Sequence, residues 1–354
     1  MAEEQQDDVG VRFSPYESFK NASHPESQAL LEDAAAMERA WVAVEKVHGS
    51  NFQFVVMPSL SVLGGRRSAL LGEDEGFHSW QGVRDRLADA LRALYALVVP
   101  PAAAAEEGAV LRVYGELYGG SYPGVRTSTK PVQKGVCYAP EISFAAFDAH
   151  VSAGDGGGWL THDELCEACT AAGVPVLPVL HRGSLPEMLA LDPVFSSLVP
   201  AQLHGLAPPA GPNAAEGYVL KTNDRGERLL IKHKNPAFLE HVPTNVRAAE
   251  RRDREEHPAA AAAAEWVVVQ RLENVVSKMT PAEVADKGRV LRALVDDALE
   301  DWRAHRAAEG ELGKKEVKAV TAAMFKAAAS VWDEWRRLEE GAEEGAEAGE
   351  AKEA

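Results

Sequence analysis

"WVAVEKVHGSNFQF" (residues 41–54) carries two apolar runs separated by a charged and polar corner. Trp41 to Val44 reads as a buried strand that ends in Glu45-Lys46. His48-Gly49-Ser50-Asn51 then turns the chain into a second apolar run. A solvated lysine at a strand end would need no explanation, so the rest of the chain decides what Lys46 is for.

With 354 residues, the chain is long enough for two domains and a sizeable core. Its 46% hydrophobic and 26% charged residues are those of an ordinary globular protein, and no apolar run is long enough to span a bilayer. The opening "MAEEQQDDVG" lacks the basic and apolar regions of a secretory signal and the Arg/Ser bias of a transit peptide. The expectation is an intracellular protein, cytoplasmic or nuclear, with no membrane partner. The net charge of -17 argues against docking to polyanions by bulk charge. That charge is uneven, because "VLKTNDRGERLLIKHKN" and "VRAAERRDR" are locally basic.

Three cysteines, Cys137, Cys166 and Cys169, are too few for a disulfide framework. Cys166 and Cys169 form a C-x-x-C, half of a zinc site or a redox pair, but no second pair exists. The same stretch, "THDELCEACTAAG", reads as a short helix with a Thr161/Glu164 capping box and Gly173 as its stop.

Residues 1–12 and 339–354 are acidic and low in complexity, and disorder is expected there. "SWQGVRDRLADALRALYALVV" is an amphipathic helix with Val83, Leu87, Leu91, Leu94 and Leu97 at helical spacing. "PPAAAAEEG" serves as a linker, "VLRVYGELYG" and "ISFAAFDAHV" are strands, and "AAEGYVLKTNDRGERLLIKHK" is a hairpin turning at Asn223 to Gly226. Beyond Pro243 "AAAAAAEWVVVQRLENVVSKM", "TPAEVADKGRVLRALVDDALEDW" and "KKEVKAVTAAMFKAAASVWDEWRRL" are helical, the second opening on a Thr280/Glu283 capping box with Pro281 at its first position. An α+β domain over 13–243 and a helical one over 244–338 are expected.

On the hairpin, Lys232 and Lys234 are two apart, so both side chains share a face. The partner strand begins at Glu216. A carboxylate and two lysines thus form a charged floor on an apolar sheet; a surface hairpin with weak ion pairs would look the same locally.

"EKVHGSNF", "RVYGELYGG", "FAAFD", "AEGYVLK" and "LLIKHK" occur in that order and resemble the nucleotidyltransferase motifs of the RNA ligase 2 family, which includes the RNA-editing ligases. "WVVVQRLENVVSKM" looks like the start of that family's helical C-terminal domain, so the resemblance runs from about 13 to about 337. It implies an α+β nucleotidyltransferase (ATP-grasp-like ligase) domain of antiparallel sheets with helices, followed by a small all-helical domain.

By the resemblance, Lys46 is the nucleophile that takes AMP from ATP as a lysyl-AMP phosphoramidate. That chemistry demands a neutral amine, and free lysine titrates near ~10.4, so cationic neighbours, partial burial and a metal ion are expected around it. Gly49 is expected to let backbone approach the nucleotide closely. Glu116 matches the ribose-binding glutamate and Phe147 the aromatic that stacks on adenine, although an alternating strand could equally bury Phe147 in a core. Glu216 matches the glutamate that organises lysine and metal, directly or through water. Lys232 and Lys234 match the pair that neutralises developing phosphate charge. Arg67, with Arg66 next door, matches a phosphate-contacting arginine. Glu45, Val47 and Asn51 flank the nucleotide, His48 shapes the turn, and Lys221 is a weaker phosphate candidate. The family's C-terminal Asn-Arg pair reads Gln270-Arg271 here, which leaves Arg271 to contact strand ends.

The implied cofactors are ATP and Mg2+ or Mn2+, and the implied partner is RNA, nicked duplex or bridged ends. DNA ligases and GTP-using capping enzymes share the covalent chemistry. They ordinarily carry Lys-x-Asp-Gly and follow the hairpin lysines with a β-rich domain, where this chain has Lys-Val-His-Gly and helices. A catalytically inactive RNA-binding scaffold is the third reading, and it would not need Lys46, Glu116, Glu216, Lys232 and Lys234 together.

Overall fold

A computed structural model describes residues 11–22, 24, 27, 29–30, 33–101, 109–127, 129–152, 157–238, 258–306 and 312–350, without the side chains of Ala34 and 338–350. The chain divides into two units, Met1–Ala237 and Phe238–Ala354. The boundary expected at 243/244, the terminal residues 1–10 and most of the "PPAAAAEEG" linker lie outside the described residues.

The two apolar runs of the opening stretch are strands β1 (Trp41–Glu45) and β2 (Ser50–Val56), but they do not pair with each other. β1 lies inside a four-stranded sheet, between β9 (Gly217–Thr222) and β8 (Val179–Gly183), with β10 (Leu230–Lys234) at the edge. β2 lies inside a six-stranded sheet, between β3 (Val62–Arg66) and β5 (Val110–Gly119). β4 (Ala69–Leu70) closes one edge; β6 (Ile142–Ser152) and β7 (Gly158–Trp159) complete the other. All strand pairings within both sheets are antiparallel. Lys46 to Gly49 is therefore the place where the chain leaves one sheet and enters the other. Cover on both faces of a central strand explains why β1 is apolar from Trp41 to Val44, whereas β2 alternates Asn51, Phe52, Gln53 and Phe54 before Val55 and Val56.

The six-stranded sheet packs Phe52, Phe54, Val113, Leu117 and Phe144 under two helices, α2 (Trp80–Val98) and α3 (His162–Ala172). In α2, Val83, Leu91 and Leu94 are buried and Leu87 partly so, but Leu97 is 57% exposed. The 3.6-residue period moves the buried stripe to Tyr95 and Val98–Val99 by the last turn. α3 carries the Thr161/Glu164 capping box and ends at left-handed Gly173 as expected. Its Cys169 is buried in the core, which pushes the thiol up to about 12. The four-stranded sheet packs Trp41, Ala43, Tyr218, Leu220 and Ile231 against α1 (Ala34–Met37) and α4 (Leu185–Leu189). A short helix α5 (Val199–His204) precedes β9. Val11, expected in a disordered leader, instead packs with Val55 and Val110 of β2 and β5, two interior strands, where an apolar side chain gains from burial.

The second unit has its own core of Leu272, Val290, Leu294, Val295, Ala298, Trp302, Val320 and Met324. The first expected helix is broken into α6 (Pro258–Ala264) and α7 (Val269–Val276). The second divides into α8 (Pro281–Ala285), opened by the Thr280/Glu283 box, and α9 (Lys287–His305), capped by the Asp286 carboxylate. α10 runs from Lys314 to Glu350. It carries helical backbone through most of the tail expected to be disordered, in keeping with the high helix propensity of Ala and Glu. No helix among the described residues is long and apolar enough to cross a membrane.

Candidate active site

Alternation along β1 sends Trp41, Ala43 and Glu45 to the helix-covered face and Val42 and Val44 to the other. Val44 pairs with Val219, Val219 with Lys232 and Gly217 with Lys234, so Lys232 and Lys234 share the face of Val44. Lys46 follows immediately, its N–H donating to the Gly217 carbonyl at 2.9 Å. Three cationic or protonatable groups converge on one carboxylate. Lys46 Nζ is 2.7 Å from Glu216 Oε2, His48 Nδ1 is 3.4 Å from the same oxygen, and Lys234 Nζ is 3.3 Å from Oε1. The Glu216 side chain is 3% exposed and that of Lys46 23%, which leaves the amine reachable and the carboxylate not. Burial alone would raise the Glu216 pKa. The charges of Lys46 and Lys234 and the hydrogen bond from His48 outweigh it and hold the carboxyl well below its usual range. Gly217 makes room for this: it sits at φ +134°, and a Cβ there would fall 2.1 Å from the His233 carbonyl.

The corner between the sheets is fixed from three sides. A Cβ on Gly49 would lie 2.2 Å from the Leu117 carbonyl and 2.8 Å from Glu116 Cγ, so the close approach that needs this glycine is to β5. The His48 N–H donates to Tyr138 Oη at 2.8 Å, and Ser50 Oγ lies 3.1 Å from His78 Nε2. Sequence reasoning missed Tyr138 and His78, since neither spacing nor alternation singles them out.

Asn51 on β2 and Glu116 on β5 are register partners, both half-buried, on the face opposite the helix-covered core. Between Tyr114↔Asp148 and Gly115↔Ala146 the register shifts, which leaves Phe147 as the extra residue of a β-bulge. Phe147 stays half-buried and outside the hydrophobic core, its ring edge-on to Tyr16 at 4.9 Å. The bulge thus turns an aromatic ring out of a strand that otherwise buries its large residues.

Other expected residues are placed differently. Being one residue before Lys46, Glu45 faces the opposite way: its carboxylate accepts from Ser197 Oγ at 2.6 Å and Leu198 N at 2.8 Å, at the start of α5. Burial raises its pKa to about 7. Val47 is buried, so only backbone is available to a nucleotide from either residue. Lys221, expected at phosphate, is buried with its Nζ 3.0 Å from Asp148 Oδ1 and 2.6 Å from the Phe147 carbonyl. Arg228 and Tyr16 both donate to Asp148 Oδ2 at 2.6 Å. Arg66 pairs with Phe52 and so lies towards the helix-covered face, whereas Arg67 follows in the turn and donates to Ser18 Oγ. In the second unit Arg271, expected at strand ends, is 1% exposed. It donates to the Trp266 carbonyl and to Asp297 and Asp301, so its polar groups hold helices together, while neighbouring Gln270 is exposed.

Among the described residues no group of three or more His, Cys, Asp or Glu is placed to hold a metal. Both Glu216 oxygens already face cationic or protonatable groups. Such a donor set does not form a cage, but it fits a small divalent ion that keeps its waters and is held chiefly by substrate phosphates.

A family model described as RNA ligase matches residues 39–234, and one described as T4 RNA ligase 2 C-terminal matches residues 250–330. The mitochondrial RNA-editing ligase 1 of Trypanosoma brucei brucei is 29% identical over 253 residues, 62% of this chain and 52% of that protein. RNA-editing ligase 2 of the same organism is 24% identical over 259 residues, 65% of this chain and 62% of that protein. The chain thus spans little more than half the length of the curated relatives it matches. A Naegleria gruberi RNA ligase variant solved with ATP and Mn is similar at TM-score 0.43 and 17% identity, over 64% of this chain and 58% of that one.

Proposed function

Because this chain belongs to the RNA ligase family, we propose that it is an ATP-dependent enzyme that joins RNA 3′-hydroxyl and 5′-phosphate ends through AMP carried on Lys46. The observation that supports this most is the placement of a partly exposed lysine, a second buried lysine and a histidine around one buried carboxylate. An ordinary surface hairpin has no use for a carboxylate held ionised in that position.

In the first step the Lys46 ammonium gives up a proton to solvent, its Nζ lone pair attacks the α-phosphorus of ATP, and a second proton leaves Nζ for solvent as the phosphoramidate forms. The N–P bond forms, the bond from that phosphorus to the β-phosphate oxygen breaks, and pyrophosphate leaves. Glu216 orients Nζ for this attack, and Lys232 and Lys234 offset charge on the phosphate oxygens. Asn51 and Glu116 face the sugar and Phe147 the base. Mg2+ or Mn2+, held by the phosphates and by Glu216 directly or through water, would stabilise phosphoryl oxygens. An oxygen of the RNA 5′-phosphate then attacks the adenylate phosphorus, the N–P bond breaks, and Lys46 Nζ leaves and takes up protons from solvent. Finally the 3′-hydroxyl attacks the 5′-phosphorus, loses its proton and expels AMP. Nicked duplex RNA, or ends bridged by a second strand, is the substrate form proposed.

The test is incubation with Mg2+ and α-labelled ATP or GTP, followed by a denaturing gel. Label from ATP that survives denaturation and disappears in Lys46→Ala supports the proposal. Label from GTP alone would favour a capping-type enzyme, and none at all a non-catalytic scaffold. Sealing of nicked DNA in preference to nicked RNA would replace the RNA substrate by DNA.

A further inference from the structure

Gly120 to Pro140, which is all but the last residue of the segment joining β5 to β6, is basic and carries no carboxylate. It holds Arg126, Lys130 and Lys134, and no Asp or Glu occurs between Glu116 and Glu141, in a protein of net charge -17. All three cationic side chains are exposed. The segment is anchored nonetheless. Gly120 N donates to the Ala139 carbonyl and Val132 N to the Gly119 carbonyl, Tyr122 Oη donates to the Ala207 carbonyl, and Val132 and Val136 are buried.

Its C-terminal end is fastened to both halves of the reaction centre. Tyr138 Oη accepts from His48 N, two residues beyond Lys46. Cys137 exchanges two hydrogen bonds of 2.8 Å with the Asn213 side chain, three residues before Glu216. Lys134 is four residues from Tyr138, so their Cα atoms are at most about 14 Å apart. The strands at either end carry Glu116 and Phe147.

We infer that this segment is a docking surface for the phosphodiester backbone of the RNA being joined, with Arg126, Lys130 and Lys134 as its phosphate contacts. The inference rests on the ligase reading above and adds to it where the strand lies. Three exposed cations with no intervening carboxylate attract a polyanion irrespective of its sequence, and the anchoring ties their segment to the corner that follows Lys46 rather than leaving it on a free tether. In a chain of net charge -17, a local basic segment is the more decisive for orientation.

The probe is a fluorescent nicked RNA duplex bearing a 5′-phosphate at the nick, bound by full-length protein across a salt series. The triple variant Arg126→Gln, Lys130→Gln, Lys134→Gln should bind about tenfold more weakly at moderate salt, with the slope of log K against log salt shallower by roughly 2 to 3. Adenylation of Lys46 with ATP alone should stay at the parental level, and the charge-preserving pair Lys130→Arg, Lys134→Arg should bind as the parent does. An unchanged affinity and salt slope would overturn the inference and would also result if the segment served an acidic protein partner. A parallel fall in adenylation or melting temperature would overturn it too. Failure of the parent protein to adenylate at all would instead remove the ligase reading, leaving the RNA-binding result to stand by itself.

Discussion

Lys221 on β9 and Asp148 on β6 are 73 residues apart in sequence, yet Nζ and Oδ1 lie 3.0 Å apart and join the four-stranded sheet to the six-stranded one. The same ammonium donates to the Phe147 carbonyl at the bulge. Burial lowers the Lys221 pKa, and Asp148 only partly offsets this. Lys221→Met should cost about 3 kcal/mol in urea unfolding, the lower end for breaking a buried pair, because Arg228 and Tyr16 remain on Asp148. If Lys221 touched phosphate instead, activity would fall with little change in stability.

Phe147 offers a sharper separation of roles. It is half-buried and outside the core, so Phe147→Ala should leave the melting temperature within a few degrees of the parent. Loss of a base-stacking ring should raise the KM for ATP by roughly tenfold. Equal losses of melting temperature and ATP use would return this residue to a packing role.

Glu45 and Glu216 should act on stability in opposite directions with pH. The folded-state pKa of Glu45 is raised from 4.5 to about 7, so its contribution is fully present below 4.5 and is lost as pH rises through 7. The loss amounts to about 3 kcal/mol. Glu45→Gln should therefore flatten the decline in melting temperature between those values. Glu216 is depressed, so its contribution is present above 4.5 and is lost as pH falls. Glu216→Gln should blunt acid unfolding below that pH while abolishing adenylation.

Arg271→Ala should destabilise the helical unit by roughly 2 kcal/mol, since the buried guanidinium's hydrogen bonds to the Trp266 carbonyl and to the partly exposed Asp297 and Asp301 are lost. Lys46 adenylation should persist. Normal melting of the second unit combined with lost RNA sealing would instead make Arg271 a strand contact.

Much of this was legible in the sequence, and the failures share a cause. The strand lengths, the Thr161 and Thr280 capping boxes and the hairpin that places Lys232 beside Lys234 follow from periodicity and cap chemistry within a few residues. Lys221 and Arg271 show what chain order withholds, because a buried cation and a ligand-binding one look alike along it. What distinguishes them is the distant carboxylate that each meets. Leu97 falls outside the buried stripe because helix phase depends on what packs alongside, whereas the tail's helical backbone accords with the propensity of its Ala and Glu.

The amino-acid order by itself determined which groups stand at strand ends and, through two-residue alternation, which of them share a face. It could not decide that β1 and β2 enter different sheets, nor that a bulge turns Phe147 outward. Only the family resemblance, and no spacing along the chain, linked Lys46 to a carboxylate 170 residues away. Those outcomes come from strand pairing between distant segments, where burial of both sheet faces selects one register out of many, and only the folded chain makes that selection.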